Sequence, residues 1–561
     1  MGNFFKIYFM NSLEKINPTA RETGRFYTHE AVAGNMISTL TGHLSQNLGN
    51  KKVVDIVDPF AGDGRLILWF IDKWIALGLP PKKWNITLWD MDERGLKEAR
   101  NNIDSLRKKG VSLSLQIEKA DSFNFSRSFR NKFDLVITNP PWLLIKPDSK
   151  KTKEQTEKEK AAYIQQLKDT DEFLSREFPK SQPLRKFAGW GTDLSRVGLE
   201  LSEFICKEDG IIGIVLPASF YADDKSVGLR EHIFENWEVR EICYYPAEAK
   251  LYDDADVTSC TSILLRGRVK KQTIKLKSYD QDILVRSRST LRLPLPKLAQ
   301  NGYSIPLRLG AEATRVLYKL TESFPTWGSL EGLDGDRLWA GRELDESGCK
   351  NWLNKEGDGP LFIKGRMVSR YQILEDPSEH IEKIGWTSPV SAKFPRILWR
   401  DVSRPSQKRR MVATIINNDY VAGNSLGVAY FRNGDLKVLK CLLGIMNSLC
   451  FEFQLRNYLA TGHVSLSSVR KVRVPPRNRI SNIKGLLPAV SSALKGNSKA
   501  EIRIEAIVAK YVYELSKDDL TTILKSFDKL EDRELDFILD AFSELDDEKP
   551  SPQRSPITEE I

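Results

Sequence analysis

Four short strand-like segments within residues 53–139 each stop at a polar residue, and that regularity narrows the chain to one broad class of fold. Val53 to Val57 ends at Asp58-Pro59, Ile86 to Trp89 at Asp90, Leu113 to Ala120 at Asp121, and Phe133 to Thr138 at Asn139. Short apolar runs bounded by turn residues read as buried strands. Helical patterns lie between them, at Leu66 to Leu77 and Glu93 to Leu106, and Ile211 to Leu216 and Ser262 to Leu265 supply further strands. This alternation predicts an α/β fold, a Rossmann-like doubly wound and mostly parallel sheet with helices on both faces. Ligands of such sheets sit outside the carboxyl ends of the strands. Each polar residue named above falls at such an end.

Composition sets the outer bounds. A chain of 561 residues, 41% of them apolar, is long enough for two or three domains with full cores. Mean hydropathy of -0.38 and 29% charged residues favour a soluble protein. No run approaches the roughly 18 apolar residues of a membrane span. The apolar stretch Phe4 to Met10 is short and interrupted by Lys6, so no signal peptide is expected. The six cysteines, Cys206, Cys243, Cys260, Cys349, Cys441 and Cys450, form no CxxC pair. That argues against a zinc site or a disulfide framework, predicts no metal, and suits a reducing cytoplasm.

The net charge of +10 is unevenly spread. Residues 393–410 carry seven Lys/Arg against Asp401 alone, and residues 456–479 carry six and no acid. Residues 528–549 hold ten acids and three bases. A basic middle followed by an acidic end fits a polyanionic partner, although any one basic run also reads as a solvated face.

The chemistry concentrates in two turns. Asp58-Pro59-Phe60-Ala61-Gly62-Asp63-Gly64-Arg65 leaves the first strand and opens a helix. Glycines there let the backbone turn tightly and approach a ligand. There is no G-x-G-x-x-G and no Gly-Lys-Ser/Thr, so a dinucleotide phosphate site and a P-loop are unfavoured. Asp90 at the next strand end can accept both hydroxyls of a ribose, and Asp92 offers an alternative two residues on. Asp121 is placed to accept from an adenine amino group. Ribose, adenine amine and no phosphate recognition describe S-adenosylmethionine better than a nicotinamide dinucleotide. The second turn, Asn139-Pro140-Pro141-Trp142, combines a side-chain amide, two prolines that stiffen the loop and keep carbonyls out of any ladder, and a flat aromatic. It reads either as a Pro-stiffened strand exit with a packing Trp, or as an acceptor-rich pocket for a planar ring bearing an amino group.

In this order the motifs resemble the gamma-class S-adenosylmethionine-dependent DNA adenine-N6 methyltransferases of restriction-modification type. The resemblance is specific over residues 20–270 and looser over 300–530. It matches Thr23-Gly24-Arg25-Phe26-Tyr27-Thr28 to the segment covering the methionine end of the cofactor, Asp58 to Gly64 to the glycine motif, and Asn139 to Trp142 to the catalytic loop. Gly191 to Leu194 and Gly210 to Ser219 match the next helix and strand. Two departures stand out: Phe60-Ala61-Gly62-Asp63 replaces a small-Cys/Gly-Ser pattern, and Trp142 replaces the usual Tyr or Phe. The resemblance implies cofactor contacts from Thr23, Gly24, Phe26, Tyr27, Thr28, Asp58, Pro59, Phe60, Ala61, Gly62, Gly64, Asp90, Met91, Asp121, Ser122 and Asn139. Asn139, Pro140, Pro141 and Trp142 would be catalytic, acting on a base flipped out of a duplex.

Four segments are expected. Residues 1–290 form the methyltransferase domain, with a charged helical insertion at 146–185. Residues 291–480 form an α+β target-recognition domain, 481–545 a helical carboxy-terminal segment, and 546–561 a disordered tail. Within 481–545, Ile504, Ile507, Val508, Tyr511 and Leu515 follow a helical period, and Ser516 with Asp519 begins a new helix as a capping box. Double-stranded DNA would be held by basic segments with aromatics between them (Tyr371, Trp386, Trp399). The candidate contacts are Lys364, Arg366, Arg404, Lys408, Arg409, Arg410, Arg470, Lys471 and Arg473. The expected enzyme works as a monomer on DNA in a bacterial or archaeal cytoplasm, with any restriction endonuclease or defence subunit encoded separately. About 23 residues precede the first motif, too few for a nuclease domain there. Cytosine-N4, RNA or protein glutamine as substrate, and a catalytically dead DNA-binding specificity subunit, remain alternatives.

Overall fold

The computed structural model describes residues 26–545, apart from 48–49, 149–154, 187, 253–256, 333–337, 383–387, 405–406 and 460–461. Thr23, Gly24 and Trp386 therefore lie outside the described residues, as does the tail 546–561. The chain divides into two compact units, Met1–Glu312 and Ala313–Ile561.

The first unit is built on a nine-stranded sheet. Its elements in chain order are α1 (Glu30–Asn47), β1 (Val53–Asp58), α2 (Arg65–Ala76), β2 (Lys83–Asp90), α3 (Glu93–Lys108), β3 (Leu113–Lys119), α4 (Ser122–Phe125) and β4 (Phe133–Thr138). There follow α5 (Glu157–Glu177), α6 (Leu194–Ile205), β5 (Cys206–Pro217), α7 (Val227–Asn236), β6 (Trp237–Tyr245), β7 (Ser259–Arg266), β8 (Lys271–Tyr279) and β9 (Val285–Pro294). The spatial order is β3-β2-β1-β4-β5-β7-β6-β8-β9. β3, β2, β1, β4 and β5 pair in parallel, β7 runs against both β5 and β6, and β8 is parallel to β6. After β1 the chain moves outward to β2 and β3, then returns to lay β4 on the other side of β1. That reversal opens a crevice at the carboxyl ends of β1 and β4, the usual ligand site of a doubly wound sheet.

Local sequence explains the layers. Every residue of the central strand β4 is buried, as a near-continuous apolar run demands. β3, one outer strand, alternates between exposed and half-buried residues instead. The acid Asp134 inside β4 is fully buried and is held by Lys51, by Lys207 at 3.0 Å and by the backbone N–H of Asp55 at 2.9 Å. α3 starts at Asp92, whose carboxylate accepts from the Arg94 N–H, and buries Leu96, Ala99, Ile103 and Leu106 along one face. Each large apolar side chain among them contributes about 1.5–3 kcal/mol of burial when fully enclosed. The charged insertion forms α5, opened by a capping box between Thr156 and Glu159.

The second unit, described on its own, is α+β. Four antiparallel strands run in the order Leu338–Gly341, Leu426–Phe431, Arg396–Arg400, Ala413–Ile416. Short strands at Leu353–Asn354, His380–Ile381, Leu361–Ile363 and Tyr420–Ala422 make a second sheet. Helices dominate from Leu436 onward, including Ser498–Ile507, Lys517–Lys525 and Asp532–Glu544. Ser516 and Asp519 form the capping box expected from sequence, and Asp519 also takes Lys319 at 2.6 Å.

Candidate active site

The crevice at the carboxyl ends of β1, β2 and β4 is a cavity in which most of the strand-end residues meet. Phe26, Tyr27, Thr28, Asp58, Phe60, Ala61, Gly62, Asp90, Met91, Asp121, Ser122, Asn139 and Pro141 all line it. Asp63, Arg65, Leu66 and Phe123 line it too, beyond the residues expected from sequence. Pro59, Gly64, Pro140 and Trp142 sit behind or beside the wall rather than on it. Asp63 and Arg65 belong to the glycine turn, but nothing in sequence marks which side chains of a turn face inward.

Three carboxylates divide the work of the wall. Asp90 accepts from the Gly62 N–H at 2.8 Å and the Asp92 N–H at 2.9 Å, fixing the glycine turn against β2. Asp92 is committed to capping α3, so Asp90 is the acid that faces the cavity. Asp58 accepts from the Thr138 hydroxyl at 2.6 Å and the Phe60 N–H at 3.1 Å. Burial pushes its carboxyl up to about 7, with Asp90 and Asp63 adding to the rise. Asp121 caps α4 through one oxygen, which accepts from the Phe123 N–H at 3.1 Å. Its other oxygen, Oδ2, is buried with no partner. Burial lifts this carboxyl to about 7 as well.

The turn at Gly62 needs a positive φ of 52°, and its backbone passes so close to Tyr27 that a Cβ would come within 3.2 Å of the ring. The Arg65 guanidinium lies 4.6 Å over the centre of that ring and grips both oxygens of Asp63 through Nε, each at 2.9 Å.

Asn139 is the most tightly specified group. Its Nδ2 donates to the Phe26 carbonyl at 2.7 Å and to the Thr28 hydroxyl at 3.1 Å. A carbonyl can only accept, so these bonds fix which way the amide points. They leave Oδ1 buried and without a partner. A buried acceptor left unsatisfied costs about 1–3 kcal/mol, which a ligand donor would recover. The loop behind it is clamped from the far side of the sheet. A Cβ on Gly198 of α6 would stand 2.3 Å from Cβ of Pro140, so α6 packs against the proline with no room for a side chain. After the loop, the Leu194 N–H bonds the Leu143 carbonyl at 2.9 Å and the Ile145 N–H bonds the Thr192 carbonyl at 2.8 Å. Asp193 then caps α6.

Trp142 departs from the picture of a free stacking plate. Its ring is partly buried against the core, 5.3 Å from Phe26 and 4.8 Å edge-on to Tyr252 between centroids, and its Nε1 is buried without a partner.

Two of the basic residues of the second unit, Arg409 and Arg410, need a larger correction. Arg409 bonds Glu452 at 3.0 Å, Glu505 at 2.9 Å and the Asn447 carbonyl, with only 9% of its side chain exposed. Arg410 is buried and donates to the Ser403 carbonyl at 2.8 Å. Both are interior residues, unable to reach a phosphate without breaking those bonds. Lys364 bridges Glu346 and Glu379, Arg470 forks onto Glu331, and Lys408 pairs with Glu534. Lys471 lies 5.4 Å over the Tyr458 ring, and Arg473 donates to the Phe324 carbonyl at 3.3 Å. Tyr371 and Trp399 are core residues. Arg366 and Arg404 are exposed.

Residues 65–252 match the family described as Eco57I restriction-modification methylase. The chain is 31% identical over 119 residues to the type II methyltransferase M.VspI of Vibrio sp. (strain 343), a stretch covering 21% of this chain and 25% of that protein. It is 28% identical over 142 residues to the release factor glutamine methyltransferase of Leptospira interrogans serogroup Icterohaemorrhagiae serovar Lai (strain 56601), covering 25% of this chain and 44% of that one. The chain thus spans less than half the length of either curated relative. Among solved structures, the type IIL restriction-modification enzyme MmeI in complex with DNA shares the fold with a TM-score of 0.50 at 10% identity, over 92% of this chain and 78% of that one. The first unit has a Rossmann-like, doubly wound and mostly parallel sheet.

Proposed function

We propose that the protein is a site-specific DNA methyltransferase that transfers a methyl group from S-adenosylmethionine to the N6 amino group of a flipped-out adenine. In this reading it is the modification enzyme of a restriction-modification or other phage-defence system, working in the cytoplasm on nucleoid DNA. The observation that carries the reading is Asn139 Oδ1, a buried acceptor whose orientation is fixed by Phe26 and Thr28 and which has no partner of its own. It shares a cavity with a second orphaned acceptor, Asp121 Oδ2.

The residues present fit the cofactor. Asp121 Oδ2 would accept from its adenine amine, Asp90 from its ribose hydroxyls, and the Asp63–Arg65 pair complements the opposite charges of its amino-acid end. When bound, the cofactor supplies an electrophilic methyl group on a sulfonium. On the substrate side, the adenine amine is a poor nucleophile because its lone pair is delocalised into the ring. Hydrogen bonds from that amine to Asn139 Oδ1 and the Pro140 carbonyl would draw the nitrogen toward tetrahedral geometry and free the pair. The remainder is positioning, which a Pro-stiffened loop wedged against Gly198 supports. Unstacking the base costs a few kcal/mol, and the aromatic cluster of Trp142, Phe26 and Tyr252 offers apolar surface to offset it.

A second reading is favoured by one observation, the similarity to a release factor glutamine methyltransferase. A glutamine side-chain amide is also an amino group conjugated to a π system, and the same Asn139 acceptor would serve it. The separate α+β unit of about 250 residues supports the DNA reading instead. Long-read sequencing of DNA from cells expressing the protein tests the choice, since it reports the modified base and its sequence context. Asn139→Ala should lower methyl transfer at least about a hundredfold, far more than it weakens cofactor binding. An active Asn139→Ala protein would refute the mechanism.

A further inference from the structure

β8 and β9 extend the sheet beyond β6 as an antiparallel ribbon with two unlike faces. The register places Thr273 opposite Arg292, Lys275 opposite Thr290 and Lys277 opposite Arg288 on one face. Ile274, Leu276, Leu291 and Leu293 fill the other and are buried. Lys271, Lys275, Arg288 and Arg292 are exposed, and among the described residues none of these four makes an ion pair. Lys277 on this face bridges a carboxylate, Glu241, at 2.8 Å. Residues 268–292 hold eight Lys/Arg against Asp280 and Asp282. The Asp280 carboxylate is tied into the turn, accepting from the Asp282 and Leu284 N–H groups at 3.0 and 2.9 Å.

Charged side chains often protect an edge strand from pairing with another chain. That accounts for arginines on β9, the outermost strand. It does not account for β8, which is paired on both sides and is equally cationic on the same face.

Strand directions give the ribbon a place relative to the cavity. β8 is parallel to β6, β6 and β5 each run against β7, and β5 is parallel to β4. β8 therefore runs the same way as β4, and Lys277 and Arg288 lie toward the end of the sheet that carries Asn139. Four strand spacings separate β4 from β8, or about 19 Å. Along a duplex rising about 3.4 Å per base pair, that is roughly six pairs.

We propose that the exposed face of the β8–β9 ribbon is a phosphate-binding surface that grips duplex DNA to one side of the target base. The proposal rests on the DNA reading of the cavity and adds a DNA-binding surface on the catalytic unit itself. The test is the salt dependence of full-length protein binding to a labelled random-sequence duplex. Wild type is compared with the triple variant Lys275→Glu, Arg288→Glu, Arg292→Glu and its Gln counterpart. Removing one cation that neutralises a phosphate should reduce the slope of log affinity against log salt by about 0.9, so a drop of about 2–3 is expected. Unchanged cofactor affinity and melting temperature identify variants that remain folded, and the milder Gln triple keeps the test open if the Glu triple does not fold. Lys108→Glu, on exposed α3 at the far side of the sheet, should leave the slope alone. Unchanged slopes in both triple variants would overturn the proposal, as would an equal drop in the Lys108 control or a slope change seen with RNA and not with duplex DNA. Wild-type protein that shows no salt-dependent duplex binding would instead strike the DNA reading beneath it.

Discussion

Replacing Asp121 with Asn should make the protein more stable and worse at holding its cofactor. The Asp121 carboxyl is buried, Oδ1 caps α4 and Oδ2 has no partner. Its ionisation in the folded state therefore occurs near pH 7, against 3.8 for a free side chain. A folded pKa above the unfolded one means that the group's contribution to stability is greatest below the unfolded value and is lost as pH rises through the folded one. From about pH 4 to pH 7 the unfolded chain ionises before the folded one, and stability falls by about 1.4 kcal/mol per unit. The total cost at pH 8 is about 4 kcal/mol, and about half of that at pH 5.5. Asn carries no such cost. For a unit of about 300 residues, 4 kcal/mol corresponds to roughly 6 °C in melting temperature.

The amide cannot keep both of the carboxylate's roles. With its oxygen on the Phe123 N–H, its NH2 faces the ligand's amino group, donor against donor. Loss of the charge-assisted hydrogen bond, worth about 1.5–3 kcal/mol, should weaken S-adenosylmethionine binding about 10- to 100-fold. Thermal melts of wild type and Asp121→Asn at pH 5.5 and 8, with cofactor titrations by calorimetry, check both halves. A variant no more stable than wild type at pH 8, or one that binds the cofactor unchanged, would refute the reasoning.

Two further outcomes follow from the packing. Gly198→Ala places a methyl group 2.3 Å from Pro140, so the Asn139–Trp142 loop must shift. Methyl-transfer rate should fall about a hundredfold with little change in cofactor affinity, and an unimpaired rate would show that the loop tolerates the displacement. Arg409→Ala breaks a buried pair with Glu452 and Glu505 and should destabilise the second unit by about 3–5 kcal/mol in chemical denaturation. Arg404→Ala, at an exposed position, should leave stability within about 0.5 kcal/mol. A stable Arg409→Ala protein with a reduced salt slope would return that residue to the DNA surface.

The ends of β1, β2 and β4 are legible in the sequence for a physical reason. Buried strands are apolar runs, so the first polar residue after each marks where the sheet meets its ligand crevice. β8 and β9 carry no such signal. They alternate charged and apolar residues because only one face is covered, and Lys275 or Arg288 in a short run looks like loop until its partner strand is known. The prolines at 294 and 296 close β9 and open the next short helix. In the second unit the seven Lys/Arg of 393–410 look like one surface when counted along the chain. Arg396, Arg409 and Arg410 are interior because their acceptors, Glu343, Asn447, Glu452 and Glu505 among them, lie mostly tens of residues away, where a linear charge count cannot see them.

The two hydrogen bonds joining 143–145 to 192–194 have a consequence for how such a protein can diverge. They close the neck of the excursion that contains α5 just beyond the Asn139–Trp142 loop. Tied at the neck, the excursion can take up added length with little effect on where Asn139 stands. Doubling that length would add only about 0.6 kcal/mol of closure entropy. Insertions within that segment should therefore be tolerated with little displacement of the loop that precedes it.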